Sequence, residues 1–340
     1  MLASLYATVA AARRRSFQRA GRQRRLRQPV VSVGNLRVGG TGKTPAVAYV
    51  SRVLIGMGER PAILSRGYGR RLVADGVVVV SDGHRLRAGL DTSGDEPLML
   101  ARAVEQARVL VSADRYLAGR LAELHLGATV HVLDDGFQHL ALARGTDLLI
   151  VGAEDLADPR TLPVGRLRES PEAAAFADAI LVPDATDEQA SEVAGRLHVG
   201  TAFRLVREPG SAQRLGPVGP GGPDLTKAPA FAVAGVARPD RFFAELRDGG
   251  WDVKGTVTFP DHYRYRLSDV ARVADAARAA GASAIVTTEK DAVRLERFQP
   301  LPLPCLWVPL TARIEPESAF REWLRGRLAD ERSRPERTCA

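Results

Sequence analysis

Residues 31–45 read Val-Ser-Val-Gly-Asn-Leu-Arg-Val-Gly-Gly-Thr-Gly-Lys-Thr-Pro, and no other stretch narrows the possible folds as far. The apolar run Pro29 to Val33 predicts a buried parallel strand. The glycines predict a tight turn, and Lys43-Thr44 opens an apolar-periodic segment that predicts a helix from Thr44 to Met57. In that order the residues build a phosphate cradle. Backbone N–H groups converge on an anion at a helix N-terminus, where the dipole favours negative charge. Lys43 reaches the β- and γ-phosphates and the Thr44 hydroxyl holds Mg²⁺. Pro45 fits a first helical turn, which needs no N–H from it.

The usual pattern G-x-x-x-x-G-K-[ST] places glycine six residues before the lysine, where this chain has Arg37. A glycine-rich connection with no ligand is the competing reading. Lysine usage argues against it: the chain has four lysines and 44 arginines. A lysine at this position, in a chain that otherwise chooses arginine, indicates that a compact ammonium is wanted there. The candidate nucleotide-phosphate-binding residues are Arg37, Val38, Gly39, Gly40, Thr41, Gly42, Lys43 and Thr44.

Downstream, short apolar runs alternate with helical patterns: Pro61–Ser65, Val77–Val80, Arg108–Ser112, Thr129–Asp134, Leu148–Val151 and Ala179–Val182, with helices over 97–106 and 114–126. This predicts an α/β fold of the P-loop type, a mostly parallel sheet covered by helices on both faces. Ligands in such sheets gather at the carboxyl ends of the strands. A Gly/Pro-rich segment, 211–228, reads as a linker. Strands over 231–234, 253–258 and 284–288 with helices over 239–247 and 268–280 then predict a second, smaller α/β lobe. The expected division is an N-terminal segment 1–28, a P-loop domain 29–210, the linker, a C-terminal lobe 229–328 and an unstructured tail 329–340.

Val130-His-Val-Leu-Asp-Asp-Gly has the form of a Walker B strand, apolar residues delivering acid at a carboxyl end. Asp134 and Asp135, with Thr44, are the candidate Mg²⁺ ligands, oxygen donors of the kind that ion prefers. Two aspartates before a glycine are also a common turn. Ser93-Gly-Asp-Glu-Pro97 sets Asp95 at a loop-to-helix junction, either as a helix cap or as a general base taking a proton from an attacking hydroxyl. His262, in Phe259-Pro-Asp-His-Tyr263, becomes catalytic only if it meets Asp95, where it would orient the base. Arg66, Arg115 and Arg144 fall in loops where they could meet phosphate charge. Lys290 marks a predicted strand-to-helix junction, either as a helix start or as a second ligand contact.

The net charge of +8 is localised. Residues 1–28 hold eight arginines and no acid, so the 48 lysines and arginines less those eight meet 40 acids in the remainder. A neutral body argues against a nucleic-acid binder, which spreads positive charge over a folded face. The terminal segment begins with the apolar stretch Leu2 to Ala12, too short for a bilayer span of ~20 residues. An apolar end joined to arginines reads as an interfacial anchor beside anionic lipid headgroups; a basic tail or an arm for RNA is the alternative. Two cysteines without C-x-x-C spacing point to a reducing cytoplasm rather than a disulfide framework.

Together, Val33–Pro45, Leu64-Ser-Arg-Gly-Tyr-Gly69, Gly94-Asp-Glu-Pro97, Asp134-Asp-Gly-Phe-Gln-His139 with Leu142-Ala-Arg144, Asp261-His262 and Thr288-Glu-Lys-Asp-Ala292 resemble the tetraacyldisaccharide 4′-kinase family. The motifs follow the family's order from 28 to 295, and the family usually lacks glycine at the place of Arg37. The resemblance implies a two-lobed P-loop kinase of lipid A biosynthesis. It would transfer the γ-phosphate of ATP to the 4′-hydroxyl of a tetraacylated glucosamine disaccharide 1-phosphate, giving lipid IVA. Lys43 and Thr44 would then serve ATP and Mg²⁺, Asp134-Asp135 the Walker B role, and Asp95 the base, paired with His262. It also implies a monomer on the cytoplasmic face of the inner membrane. The rival from another class is a membrane-linked P-loop switch. Asn35 is the only asparagine, so no Asn-Lys-x-Asp guanine-reading motif exists.

Overall fold

The computed structural model describes residues 2–18, 22–72, 75–216 and 225–333. They form two compact units, Met1–Arg207 with Ala312–Ala340, and Glu208–Thr311.

In chain order the first unit holds α1 (Leu2–Gln18), β1 (Val30–Asn35), α2 (Lys43–Ile55), β2 (Pro61–Ser65), β3 (Val78–Asp82), α3 (Leu90–Ser93), α4 (Asp95–Ala103) and β4 (Arg108–Val111). It continues with α5 (Arg115–His125), β5 (Val130–Asp134), β6 (Thr146–Ile150), α6 (Ala153–Ala157), β7 (Ala179–Pro183), α7 (Asp187–Leu197) and β8 (Ala202–Pro209). The second unit has β9 (Gln213–Arg214), β10 (Ala230–Ala234), α8 (Pro239–Asp248), β11 (Val253–Thr258), α9 (Leu267–Ala279), β12 (Ala284–Thr288), α10 (Glu289–Leu295) and β13 (Cys305–Val308). Strand β14 (Leu310–Glu315) and helix α11 (Glu317–Ser333) close the chain.

The large sheet has nine strands in the order β14-β8-β7-β6-β1-β5-β2-β4-β3. Strands β1, β2, β5 and β6 are buried at every residue, which is why they read as continuous apolar runs rather than alternating ones. From β2 to β8 the pairings run parallel through β1, while β3 meets β4 antiparallel. Register fixes the chemistry: Val33 lies opposite Asp134, and Leu64 opposite Leu133. The carboxyl end of β5 is thereby set between those of β1 and β2. The second unit carries a five-stranded sheet, β11-β10-β12-β13-β9, parallel except for β9. The α/β fold with a mostly parallel sheet is as expected from the sequence.

The predicted boundaries need three corrections. Residues 312–333 belong with the first unit rather than the C-terminal lobe, because α11 buries Phe320, Leu324 and Leu328 there. Phe320 sits edge-on to Phe203 of β8 at 5.2 Å and faces Tyr49 of α2 at 6.3 Å. An aromatic of that size is worth about 3 kcal/mol when fully buried. Residues 329–333 continue this helix, and the rest of the predicted tail, 334–340, lies outside the described residues.

The predicted linker 211–228 is not wholly irregular: Gln213–Arg214 form the edge strand β9, while 217–224 lie outside the described residues.

Finally, the predicted N-terminal segment does not stand apart as far as residue 28. Arg24 exchanges backbone hydrogen bonds with Ala141 and Ala143, and Leu26 is buried in the core beside α5. Arginine count pointed to a surface segment, but one leucine and a backbone bridge seat residues 24–28 in the domain.

Candidate active site

The phosphate loop joins β1 to α2. Gly42 caps the helix with φ of 87°, in the left-handed region that glycine occupies without strain. A Cβ there would stand 2.8 Å from Arg207 Cδ. Asn35, the last residue of β1, organises the turn. Its Nδ2 donates to Thr41 Oγ1 at 2.8 Å, and its Oδ1 accepts from Lys43 Nζ at 3.1 Å. The arm leading in is clamped by backbone: Val38 N donates to Arg166 O at 2.9 Å and Arg168 N to Leu36 O at 2.6 Å.

The expectation that Arg37 serves the phosphates gives way here. Its side chain is buried and paired with Glu154 and, at 3.2 Å, with Asp155 of α6. Residue 37 is also bridged to Leu167. An extended, anchored backbone needs no glycine, which explains the departure from the usual pattern. Val38, Gly39, Gly40, Thr41, Gly42, Lys43 and Thr44 remain around the turn, with Thr44 half-buried in the first turn of α2.

Asp134 and Asp135 end β5 against this loop. Asp135 holds φ of 53°, an uncommon backbone for a non-glycine residue. Its Oδ2 accepts from Arg168 Nη1 at 2.7 Å and its Oδ1 lies 3.5 Å from Lys43 Nζ. Burial opposes ionisation, but the Lys43 and Arg168 charges outweigh it and hold the carboxyl below its ordinary value. Asp134 goes the other way. Burial, followed by the charges of Glu96 and Asp135, pushes it up to about 7, although Ser65 Oγ donates to its Oδ2 at 2.9 Å. A buried carboxylate raised by two neighbouring carboxylates is where a cation would be electrostatically welcome.

These donors fit Mg²⁺. Asp135 Oδ1 is buried with no hydrogen-bond partner of good geometry, an acceptor aimed at the loop. Among the described residues no cluster of three His, Cys, Asp or Glu side chains forms a metal cage. Mg²⁺ needs none, since one or two carboxylates with phosphate oxygens and water complete its shell.

Asp95 is buried as the first residue of α4, two residues earlier than the predicted helix start, and its Oδ1 accepts from the Glu96 amide at 2.9 Å. Gly94 ahead of it has φ of 86°, and a Cβ there would stand 2.6 Å from Tyr68 O. The Ser65–Gly69 loop and the head of α4 therefore pack directly together. The Arg115 guanidinium is buried. Burial lowers its pKa, Asp134 opposes that shift, and Arg66 and Asp135 also act on it. Arg115 therefore lies within electrostatic reach of Asp134, Asp135 and Arg66.

Arg144 has other work. It donates to Asp147 at 2.9 Å and to the carbonyls of Gly136, Phe137 and His139. Through these bonds it braces the loop after β5. These four bonds use Nε and Nη1 of the guanidinium.

In the second unit His262 stands at the carboxyl edge of the sheet with φ of 58°. Lys290 Nζ, on α10, is 3.1 Å from both His262 Nε2 and Asp261 Oδ1. Lys290 thus shares a polar cluster with the histidine. Asp95 belongs to the first unit and His262 to the second.

Sequence reasoning did not single out Asn35, Glu96, Arg168 or Arg207 as parts of this arrangement. For Asn35 a signal existed, since it is the only asparagine in the chain. The others are ordinary polar residues brought in by strand register and by the 160–169 loop.

The family model of tetraacyldisaccharide-1-P 4′-kinase (LpxK) matches residues 1–329. The chain is 43% identical over 285 residues to the tetraacyldisaccharide 4′-kinase of Geobacter metallireducens, covering 81% of this chain and 80% of that one. It is 39% identical over 301 residues to that of Geobacter sulfurreducens, covering 86% and 82%. It is also similar to the crystal structure of LpxK from Aquifex aeolicus in complex with ATP. There the TM-score is 0.75 at 29% identity, over 96% of this chain and all of that one. With the family model matching nearly the whole chain and the fold agreeing, the chain belongs to the tetraacyldisaccharide-1-P 4′-kinase family.

Proposed function

We propose that this protein transfers the γ-phosphate of ATP to the 4′-hydroxyl of a tetraacyldisaccharide 1-phosphate, giving lipid IVA. One observation supports it above the rest: Lys43 Nζ lies within 3.5 Å of Asp135 Oδ1 and 3.1 Å of Asn35 Oδ1 at the head of α2. A cation poised between neutral and anionic oxygens is ready to follow a phosphate oxygen. In this reading the amides from Gly39 to Thr44 cradle the phosphates, and Lys43 neutralises charge as the terminal phosphoryl group leaves ADP. Asp95 takes the proton of the attacking hydroxyl as its oxygen bonds to phosphorus. Arg66 and Arg115 meet the substrate's phosphate. Mg²⁺, held by Thr44, Asp134 and Asp135, supplies Lewis-acid neutralisation of the phosphate oxygens when bound.

Helix α1 is the proposed seat on the cytoplasmic membrane surface. Leu5 and Val9 are exposed, at 61% and 59%. Among the described residues no helix is long and apolar enough to cross a membrane. Acyl chains would then stay in the lipid while the sugar reaches the site of a monomeric enzyme. The deciding experiment mixes radiolabelled ATP, Mg²⁺ and the disaccharide lipid. Label moving to the lipid supports the kinase; release of phosphate with no labelled lipid points to a nucleotide switch and defeats it.

A further inference from the structure

Arg14 is an arginine of the apolar N-terminal helix, yet it is only 2% exposed. Its guanidinium grips both oxygens of Glu169, with Nε to Oε2 and Nη2 to Oε1 each at 2.7 Å. It also donates to Phe137 O at 3.0 Å and lies over the Phe137 ring at 4.2 Å. A surface anchor has no need of a buried, bidentate, stacked arginine. Such a contact is geometrically specific, and lysine does not reproduce it.

From Glu169 the contacts continue without a break to the phosphate loop. Gln138 Nε2 donates to Glu169 Oε1 at 3.1 Å and to Asn35 O at 3.0 Å, while its Oε1 accepts from Arg168 Nη1 at 3.3 Å. That same Arg168 nitrogen donates to Asp135 Oδ2 at 2.7 Å, and Asp135 faces Lys43 at 3.5 Å. Each partner fixes the next. Glu169 decides which way the Gln138 amide points, the amide decides where Arg168 rests, and Arg168 orients Asp135.

We propose that Arg14 is a positioning residue for phosphoryl transfer, through which α1 holds Gln138, Arg168 and Asp135 in register with Lys43. The helix that seats the protein on lipid is then also a wall of its nucleotide site. The inference rests on the reading of Lys43 and Asp135 as phosphate and metal groups. Catalysis by positioning is steep: a shift of 1 Å costs on the order of 10²-fold in rate.

The test uses the full chain and detergent-dispersed disaccharide lipid, so that membrane attachment does not limit the rate. Arg14→Gln should lower kcat by roughly 10²-fold with little change in KM for ATP. Arg14→Lys, which keeps the charge but loses the fork, should recover only part of that rate. Arg14→Gln with Glu169→Gln leaves no unpaired buried charge, so its unfolding midpoint should return towards wild type. Its kcat should stay as low as that of the worse single variant. If activity returns along with the midpoint, Arg14 is merely structural and the proposal is overturned. Wild-type kcat in either folded Arg14 variant overturns it as well, and Arg14→Lys carries the test if Arg14→Gln does not fold. A parallel Lys43→Ala assay separates the two levels: full activity there would sink the phosphate-loop reading, whereas an inactive Lys43→Ala beside a normal Arg14→Gln sinks only this one.

Discussion

Lys43 and Asp135 face each other at 3.5 Å across the phosphate loop, one from the head of α2 and the other just past the end of β5. Their pairing follows from sheet register, which sets the end of β5 beside β1, and from the turn that carries β1 into α2. Lys43→Ala should lower kcat/KM by at least about 10²-fold, the loss seen when a preorganised charge partner of a developing oxyanion is removed. Asp135→Asn should weaken the Mg²⁺ dependence and leave the fold intact. A Lys43→Ala enzyme within threefold of wild type would exclude the role assigned to the loop.

Asp95 is buried at the head of α4, and its proposed task is proton transfer. Asp95→Ala should cut kcat by about 10²- to 10⁴-fold, while ATP affinity by calorimetry changes little, because a base acts in the transition state. His262→Ala should be milder. Wild-type turnover in Asp95→Ala refutes the assignment.

His139 supplies a pH signature. Burial first, then the charges of Arg115 and Arg144, push its pKa from the ordinary 6.5 down to about 4. Between those values the unfolded chain binds a proton that the native state refuses, so native stability falls as pH drops through the window and is unaffected above it. His139→Gln removes that component. Its unfolding midpoint should decline less between pH 6.5 and 4 than that of the parent. Parallel curves would show that the imidazole is not held neutral.

Leu5 and Val9 are exposed on α1, whereas Arg14 on the same helix is buried. Leu5→Asp and Val9→Asp should each reduce partition onto anionic vesicles by about tenfold, since an apolar side chain of that size gains near 1.5 kcal/mol or more on leaving water. The unfolding midpoint should not change, because neither side chain is buried in the protein. Unaltered sedimentation with vesicles would remove α1 as the lipid contact.

The strand, turn and helix around Lys43 were legible in the sequence because their determinants are local. Buried apolar runs announce central strands, and glycines tolerate the φ values a phosphate turn requires. The same holds for Asp134 and Asp135, delivered by an apolar strand. The partners of Arg37 and Arg144 were not legible for one reason: an arginine's role depends on which oxygens surround it, and Glu154, Asp155 and the 136–139 carbonyls come from segments the sequence does not mark as neighbours. Helix α11 escaped notice as part of the first unit because returning to a sheet begun 280 residues earlier leaves no local trace.

The sequence by itself therefore determined the strands from β1 to β7 and from β10 to β12, the phosphate turn and the carboxylates at the end of β5, since propensity, periodicity and backbone freedom act between near neighbours. Only the tertiary structure decided that Asn35 and Arg168 hold the turn and Asp135, that Asp134 is raised and Asp135 lowered, and that Arg14 is part of the interior. Those outcomes depend on burial and on charges a few ångströms away, which are set by register and packing between residues remote in the chain.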